Sequence, residues 1–210
     1  MNFSMLFKYR FFKSIADRVL SLILIVVLLP LLFVLSFSVF AFLGSPIIFV
    51  QERAGQHGAP FYLFKFRSMK NYPSDSGHPL SDSERLTPFG VFLRSTSLDE
   101  LPSLFNVLIG DMSFVGPRPL LLQYLPLYTP AQALRHTVKP GISGFAQIRG
   151  RNLLSWTEKF NLDTWYVSHQ SFFLDFFILI ATPLMVIRRE GISAPGEATM
   201  APFTGSSDRV

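Results

Sequence analysis

At 210 residues the chain is long enough for one domain with a substantial core. It has no cysteine, which excludes a disulfide framework and a thiolate metal site, and its four histidines (His57, His78, His136, His169) lack the HExxH-like spacing that suits zinc. A net charge of +5 on a chain that is 49% hydrophobic points to nucleic acid, lipid headgroups or a phosphorylated substrate as the anionic partner.

The first feature along the chain is FKYRFFK (Phe7–Lys13), which interleaves aromatics with bases in the manner of a headgroup-level anchor. Between Arg18 and Glu52 there is no charge, and Val19–Leu43 is almost wholly apolar. As a straight helix that run is about 37 Å long, enough to cross a bilayer. It is too long for a cleaved signal peptide, and no A-x-A-like site follows it. Pro30 removes one backbone hydrogen bond in its interior, so a bend is expected there. Both flanks are basic: Lys8, Arg10, Lys13 and Arg18 precede the run, and Arg53, Lys65, Arg67 and Lys70 follow it. Positive flanks mark the cytoplasmic side, so a re-entrant helix that bends near Pro30 and returns is favoured over a single tilted spanning helix. Residues 1–50 are expected to form this interfacial and membrane segment.

FYLFKFRSM (Phe61–Met69) reads as a strand, with Lys65 and Arg67 on one face and Phe64 and Phe66 on the other. The two cations are either a solvated edge or a grip on phosphate. Asn71–Pro88 is rich in Ser, Asp, Pro and Gly and is expected to be a surface loop with one helical turn. Next comes SLDELPSLFNVLIGDMSFVGPRP (Ser97–Pro119). Ser97-x-x-Glu100 fits a capping box. Leu101, Leu104, Phe105, Leu108 and Ile109 form one apolar helical stripe that Gly110 stops. Pro102 favours a helix beginning around Leu98–Glu100, with both carboxylates at its mouth. Within VGPRP, Arg118 stands between two prolines, a stiff stalk for a guanidinium that suits phosphate oxygens.

RHTVKPGISGFAQIRGR (Arg135–Arg151) mixes bases with Gly141, Gly144 and Gly150, which would let backbone amides approach a ligand closely. It matches neither a Walker A loop nor GxGxxG, and no nucleic-acid-binding module is present, so nucleic acid is not an expected partner. FFLDFFILIATPLMVIRR (Phe172–Arg189) is apolar but interrupted by Asp175 and Pro183, which suits an interfacial or buried helix. Gly191–Val210 is expected to be a mobile tail. The expected fold is α/β and mostly helical: a re-entrant membrane helix, a compact core over 51–190 with interfacial amphipathic helices and a small β element, and a flexible tail over 191–210.

RSTSLDELPSLFNVLIGDMSFVGPRP closely resembles the signature of the bacterial sugar transferase family, the monotopic phosphoglycosyl transferases. The likeness runs from Lys13 and Asp17 through Gln51–Arg53, Lys65–Met69, RHTVKPGISGFAQIRGRN and Leu162–Val167. The resemblance implies an enzyme of the bacterial inner membrane whose core faces the cytoplasm. Such enzymes move a phospho-sugar from a UDP-sugar to polyprenol (undecaprenyl) phosphate and release UMP through a covalent aspartyl phospho-sugar. It implies Asp99 as nucleophile and magnesium ligand, Glu100 as its catalytic support, and Arg118 as a phosphate binder. Lys65, Arg67, Arg94, Gln147 and Arg151 complete the expected substrate-binding set, with Mg²⁺ as cofactor. Three departures stand out: Leu29-Pro30 where the family often has Ser-Pro, Phe145 within its GWAQ, and Arg149 where a smaller polar residue is common. The sugar is not named by the sequence, and a homodimer is left open. The rival reading is a catalytically silent membrane adaptor that binds anionic lipid or a partner enzyme, which would need none of Asp99, Glu100 and Arg118.

Overall fold

The computed structural model describes residues 3–70, 82–150, 153–188 and 202–205. Residues 71–81 of the loop expected over 71–88, Arg151 and most of the expected tail lie outside them; the described end of that loop carries the short helix Asp82–Arg85. In chain order the elements are α1 (Phe3–Leu43), β1 (Ile48–Ala54), β2 (Pro60–Phe66), α2 (Asp82–Arg85), α3 (Pro88–Ser95), α4 (Ser103–Ile109), β3 (Ser113–Val115), α5 (Pro130–Ala133), β4 (Gly141–Ser143), α6 (Phe145–Arg149), α7 (Trp156–His169) and α8 (Phe172–Arg188). The β content is a β1–β2 antiparallel hairpin and a short parallel β3–β4 pair.

Helix α1 continues through Pro30 and is long and apolar enough to cross a membrane. One stripe packs inward: Ser21, Ile25, Leu32, Leu35 and Val39 are buried, at the three- and four-residue spacing of a helix face. Ile25 joins Phe61, Leu63, Leu104, Val107 and Ile178 in one cluster, and Leu32, Leu35 and Val39 join Phe66 and Leu93 in a second. Polar bonds fasten both ends of α1. Near its start, Tyr9 and Lys13 both donate to the Asp175 carboxylate of α8, and Ser113 Oγ donates to Asp17 at 2.6 Å. Midway, Ser21 Oγ donates to the Leu104 carbonyl at 2.6 Å. At its end, the buried Arg67 guanidinium donates to the carbonyls of Leu43, Gly44 (2.6 Å) and Ser45 (3.1 Å). The opposite face, including Phe33, Phe37, Phe40 and Val27, is exposed, as is the outer face of α8 with Phe173, Phe176, Ile180 and Ile187.

Two local expectations are corrected. Ser97 is left-handed (φ 56°) and makes no side-chain cap, so the capping box at Ser97–Glu100 does not form. The Glu100 carboxylate is drawn to cations instead. Capping boxes occur at Thr129/Gln132 and Ser155/Glu158, at the starts of α5 and α7. The carboxylates sit in a single 3₁₀ turn, Leu98–Glu100, and α4 starts only at Ser103. Its buried face is Ser103, Leu104, Asn106 and Val107, while Phe105 and Ile109 are exposed. Asn106 causes the rotation: its Nδ2 donates to the Tyr62 carbonyl at 2.7 Å and its Oδ1 accepts from Phe64 N at 3.0 Å. With both halves of the amide matched to the open edge of β2, a fully buried asparagine is stable there. Gly110 ends α4 in the left-handed conformation, as expected (φ 97°).

Of the glycines after α5, Gly141 and Gly144 allow close packing of the chain on itself, and Gly141 also lines a cleft together with Arg118. A Cβ on Gly141 would stand 2.1 Å from Gly116 N, so Gly116 and Gly141 let the VGPRP loop and β4 touch backbone to backbone. Gly141 N donates to the Pro117 carbonyl at 3.0 Å and Gly116 N to the Ser143 carbonyl at 2.9 Å. In the C-terminal segment Phe203 is buried among Tyr124, Tyr128, Trp156 and Phe160. That residue is therefore docked, unlike the mobile tail expected around it.

Candidate active site

Three pieces of chain converge. Strand β2 carries Lys65, the 3₁₀ turn carries Asp99 and Glu100, and the loop after β3 carries Arg118. Ser103 Oγ donates to the Phe64 carbonyl at 2.9 Å and, with Asn106, clamps the start of α4 onto β2, which fixes the turn beside Lys65. Lys65 Nζ and Arg118 Nη2 both donate to the same oxygen, Glu100 Oε1, each at 2.7 Å. A small open cleft lies over this group, lined by Arg53, Lys65, Glu100, Ser103, Met112, Arg118, Gly141 and others.

The two adjacent acids are in opposite electrostatic situations. Burial by itself would raise the Glu100 carboxyl, but Arg118 and Lys65 outweigh it and hold Glu100 well below the usual carboxylate range. Asp99 is 8% exposed, and no hydrogen bond or ion pair holds it among the described residues. Burial, and next the charge of Glu100, push its carboxyl up to about 6; Lys65, Arg118 and Arg94 pull the other way and lose. Burial lowers Lys65 against the pull of Glu100, while Glu100 raises Arg118. Neighbouring carboxylates driven apart in this way divide their work: one stays a fixed charge and the other is an available base or nucleophile. Asp99 adjoins the cleft without lining it.

The family model for bacterial sugar transferases matches residues 8–189. The chain belongs to the bacterial sugar transferase family. It is 55% identical over 166 residues to an uncharacterized sugar transferase, EpsL, of Bacillus subtilis, covering 79% of this chain and 82% of that one. It is 37% identical to the undecaprenyl-phosphate galactose phosphotransferase of Salmonella typhimurium, over 87% of this chain and 42% of the relative. A UDP-glucose:undecaprenyl-phosphate glucose-1-phosphate transferase of Klebsiella pneumoniae is 39% identical over 81% of this chain and 39% of its own. The chain thus spans less than half the length of these last two relatives.

Against the residues expected of a bacterial sugar transferase, the structure brings Asp99, Glu100, Lys65 and Arg118 together. Arg94, in the last turn of α3, donates to Ser68 Oγ at 3.0 Å and lies within electrostatic reach of Asp99. Arg67 is not brought into this group. It follows Lys65 by two residues, but β2 has ended at Phe66, and the guanidinium caps the end of α1, apart from the residues that line the cleft. Gln147, on α6, is packed against Gly144 and outside the cleft lining, with its amide oxygen and nitrogen buried and unbonded. Arg151 lies outside the described residues.

Sequence reasoning missed the support behind Arg118. Arg135, buried on the turn after α5, donates to the Arg118 carbonyl at 2.7 Å. Its Nε (3.1 Å) and Nη2 (2.8 Å) both donate to Asp163 Oδ2 on α7. Arg135 and Asp163 both fall in stretches that resemble the family, RHTVKPGISGFAQIRGRN and LDTWYV, and that resemblance was the signal available for the pair. Beside Arg135, His136 Nδ1 contacts the Gly55 carbonyl at 3.1 Å, and burial followed by the Arg135 charge pushes its imidazole down to about 4, so it is neutral.

Proposed function

We propose that this protein is a phosphoglycosyl transferase that moves a sugar-1-phosphate from a UDP-sugar to undecaprenyl phosphate and releases UMP. The observation that carries the reading is the division between Glu100, fixed and ionised by two cations, and Asp99, buried, raised and without a hydrogen bond among the described residues. An Asp99 carboxylate oxygen attacks the phosphorus that bears the sugar, and the bond from that phosphorus to the UMP oxygen breaks. The leaving UMP phosphate gains negative charge, which Arg118 and Lys65 are placed to offset. The phosphate oxygen of the polyprenol then attacks the aspartyl phosphorus, the Asp99–phosphorus bond breaks, and the carboxylate is restored. The raised position of Asp99 makes it a better nucleophile than an ordinary carboxylate while leaving it largely ionised at neutral pH. Glu100 holds both cations at the turn, so they stay in place as the charges change hands.

Magnesium fits this donor set in a limited way. No group of three His, Asp or Glu side chains could cage a metal among the described residues. Mg²⁺ commonly takes one or two carboxylates and completes its shell with substrate phosphates and water. Asp99, with its charge unmatched, would be that ligand, and the ion would supply charge neutralisation on the diphosphate.

The exposed apolar faces of α1 and α8 are far larger than a soluble monomer leaves to water, which supports a lipid setting. Both ends of α1 grip the same core, through Asp175 at one end and Arg67 at the other. That supports a helix that enters and returns to one face, with the core on the cytoplasmic side. The test of function is UMP release from a panel of UDP-sugars with magnesium and undecaprenyl phosphate, alongside intact-mass detection of a phospho-sugar adduct. Release and adduct should both vanish in Asp99→Asn. Near-normal turnover of that variant would sink the reading.

A further inference from the structure

Arg53 belongs to the cleft, yet no motif reading gave it a role there. Strand β1 brings it in: Ala54 N donates to the Leu120 carbonyl at 2.9 Å, which ties the end of β1 to the chain just past Arg118. Among the described residues the guanidinium then meets only neutral acceptors, the Gln51 side-chain oxygen at 2.5 Å and, more loosely, the Pro119 carbonyl at 3.5 Å. Its Nε is buried with no partner. Arg53 lines the same cleft as Lys65, Glu100 and Arg118. The only carboxylate in that lining, Glu100, has its Oε1 already shared by Lys65 and Arg118. Three cations therefore face the cleft against one committed anion, and Arg53 has no ion-pair partner among the described residues. Burial, and after it the neighbouring Arg118 charge, lower the Arg53 guanidinium to about 10 against a weaker opposing pull from Tyr124 and Glu100. A planar fork kept in a cleft by neutral groups, next to a second fork, is a charge arrangement that an oxyanion completes.

We infer that Arg53 binds a phosphate group in this cleft, pairing with Arg118 across its oxygens. The inference rests on the proposed phosphoglycosyl transfer, which offers two sources of that chemistry: the phosphate of the nucleotide and the phosphate of the polyprenol.

The experiment is calorimetric titration of the full chain in lipid nanodiscs with UMP and, separately, with farnesyl phosphate. Wild type, Arg53→Gln and Arg53→Lys are compared, each first shown to be folded by its thermal melt. Loss of a charge-assisted bond should weaken binding by about 10- to 100-fold in Arg53→Gln. Arg53→Lys should recover part of it, since charge is kept and the fork is lost. Weakening for UMP alone supports the nucleotide as the source. Weakening for farnesyl phosphate alone supports the lipid. Weakening for both supports one cradle used by each in turn. Unchanged affinity for both in Arg53→Gln overturns the inference while the transferase reading stands. Wild type binding neither ligand overturns the transferase reading, and the inference with it. Should Arg53→Gln fail to fold, Arg53→Lys decides: a several-fold weakening supports the site and wild-type affinity overturns it.

Discussion

Replacing Asp99 by asparagine should make the protein more stable while abolishing turnover. Folding places this carboxyl where burial and the Glu100 charge disfavour ionisation, and no hydrogen bond compensates among the described residues. A carboxyl displaced from 3.8 to about 6 carries about 3 kcal/mol against its ionised form, at about 1.4 kcal/mol per pH unit. Above about pH 6 the folded and unfolded states are both ionised, and the folded state bears that cost in full. As pH falls from about 6 to about 4, the folded protein takes up a proton that the unfolded chain still lacks, so wild-type stability rises. Asparagine removes the charge and with it this pH dependence. At about pH 7.5 the variant should melt higher by up to ~6–12 °C, at 2–4 °C per kcal/mol for a chain of this size. The advantage should shrink towards zero at about pH 4. The assay is a pair of thermal melts in nanodiscs at the two pH values, with EDTA present so that no bound cation offsets the carboxylate. A variant no more stable than wild type near neutrality, or one whose advantage survives at about pH 4, would refute the placement of Asp99 as a buried, uncompensated charge.

Four further outcomes are expected. The kcat/KM of the wild type should fall below about pH 6 with unit slope as Asp99 takes up a proton, measured as UMP release across pH; a profile flat down to the ordinary carboxylate range would assign the nucleophile elsewhere. Arg67→Ala should cost about 1–3 kcal/mol of stability through lost bonds to the end of α1, read as a lower melting temperature, and leave the KM for UDP-sugar unchanged in the folded fraction; a selective rise in KM would put Arg67 in the substrate site. Asp163→Ala leaves the buried Arg135 charge unpaired and should cost about 3–5 kcal/mol by thermal melt, with kcat reduced in whatever remains folded because Arg118 loses its backbone anchor. Since the chain has no cysteine, single cysteines at Lys8 and Gln56 can be probed with an impermeant maleimide in sealed vesicles. Both should label from the same, cytoplasmic face, and labelling from opposite faces would replace the re-entrant helix with a spanning one.

What could be read in advance divides along the range of the interactions. The Asp99–Glu100 pair, the stiff Arg118 stalk and the left-handed stop at Gly110 are written in adjacent residues, and each appears in the fold. The alternation that put Lys65 and Arg67 on one face was sound within a strand but said nothing of where the strand ends, and Arg67 falls just past that end. The pattern S-x-x-E fits a cap at Ser97 and at Ser155 alike. Only at Ser155 does the glutamate turn back to its own helix, because Glu100 finds Lys65 from 35 residues away and Arg118 from 18. The inward turn of Asn106, the Arg135–Asp163 pair and the place of Arg53 in the cleft depend wholly on tertiary approach. The apolar stripe assigned to α4 divides for the same reason: Phe105 and Ile109 are exposed, and the inner face of α4 is partly polar because β2 has an open edge to satisfy.

The packing of α1 along nearly its whole length has a consequence for how this protein could be built or altered. A tether can be exchanged for any other of equal length and greasiness. This helix is instead a wall of the room: Ser21, Ile25, Leu32, Leu35 and Val39 fill positions shaped by Leu104, Phe66 and Leu93. Deleting it would uncover the inner surface of α4 and of the β1–β2 hairpin, so a truncated core should aggregate rather than become a soluble enzyme. Substituting a generic apolar helix would leave those positions badly filled. Because Leu104 and Asn106 belong to the same short helix that carries the Asp99 turn on its front, a misfit in the greasy layer would be felt at the carboxylates, and the apolar packing of α1 thereby becomes part of the geometry of Asp99 and Glu100.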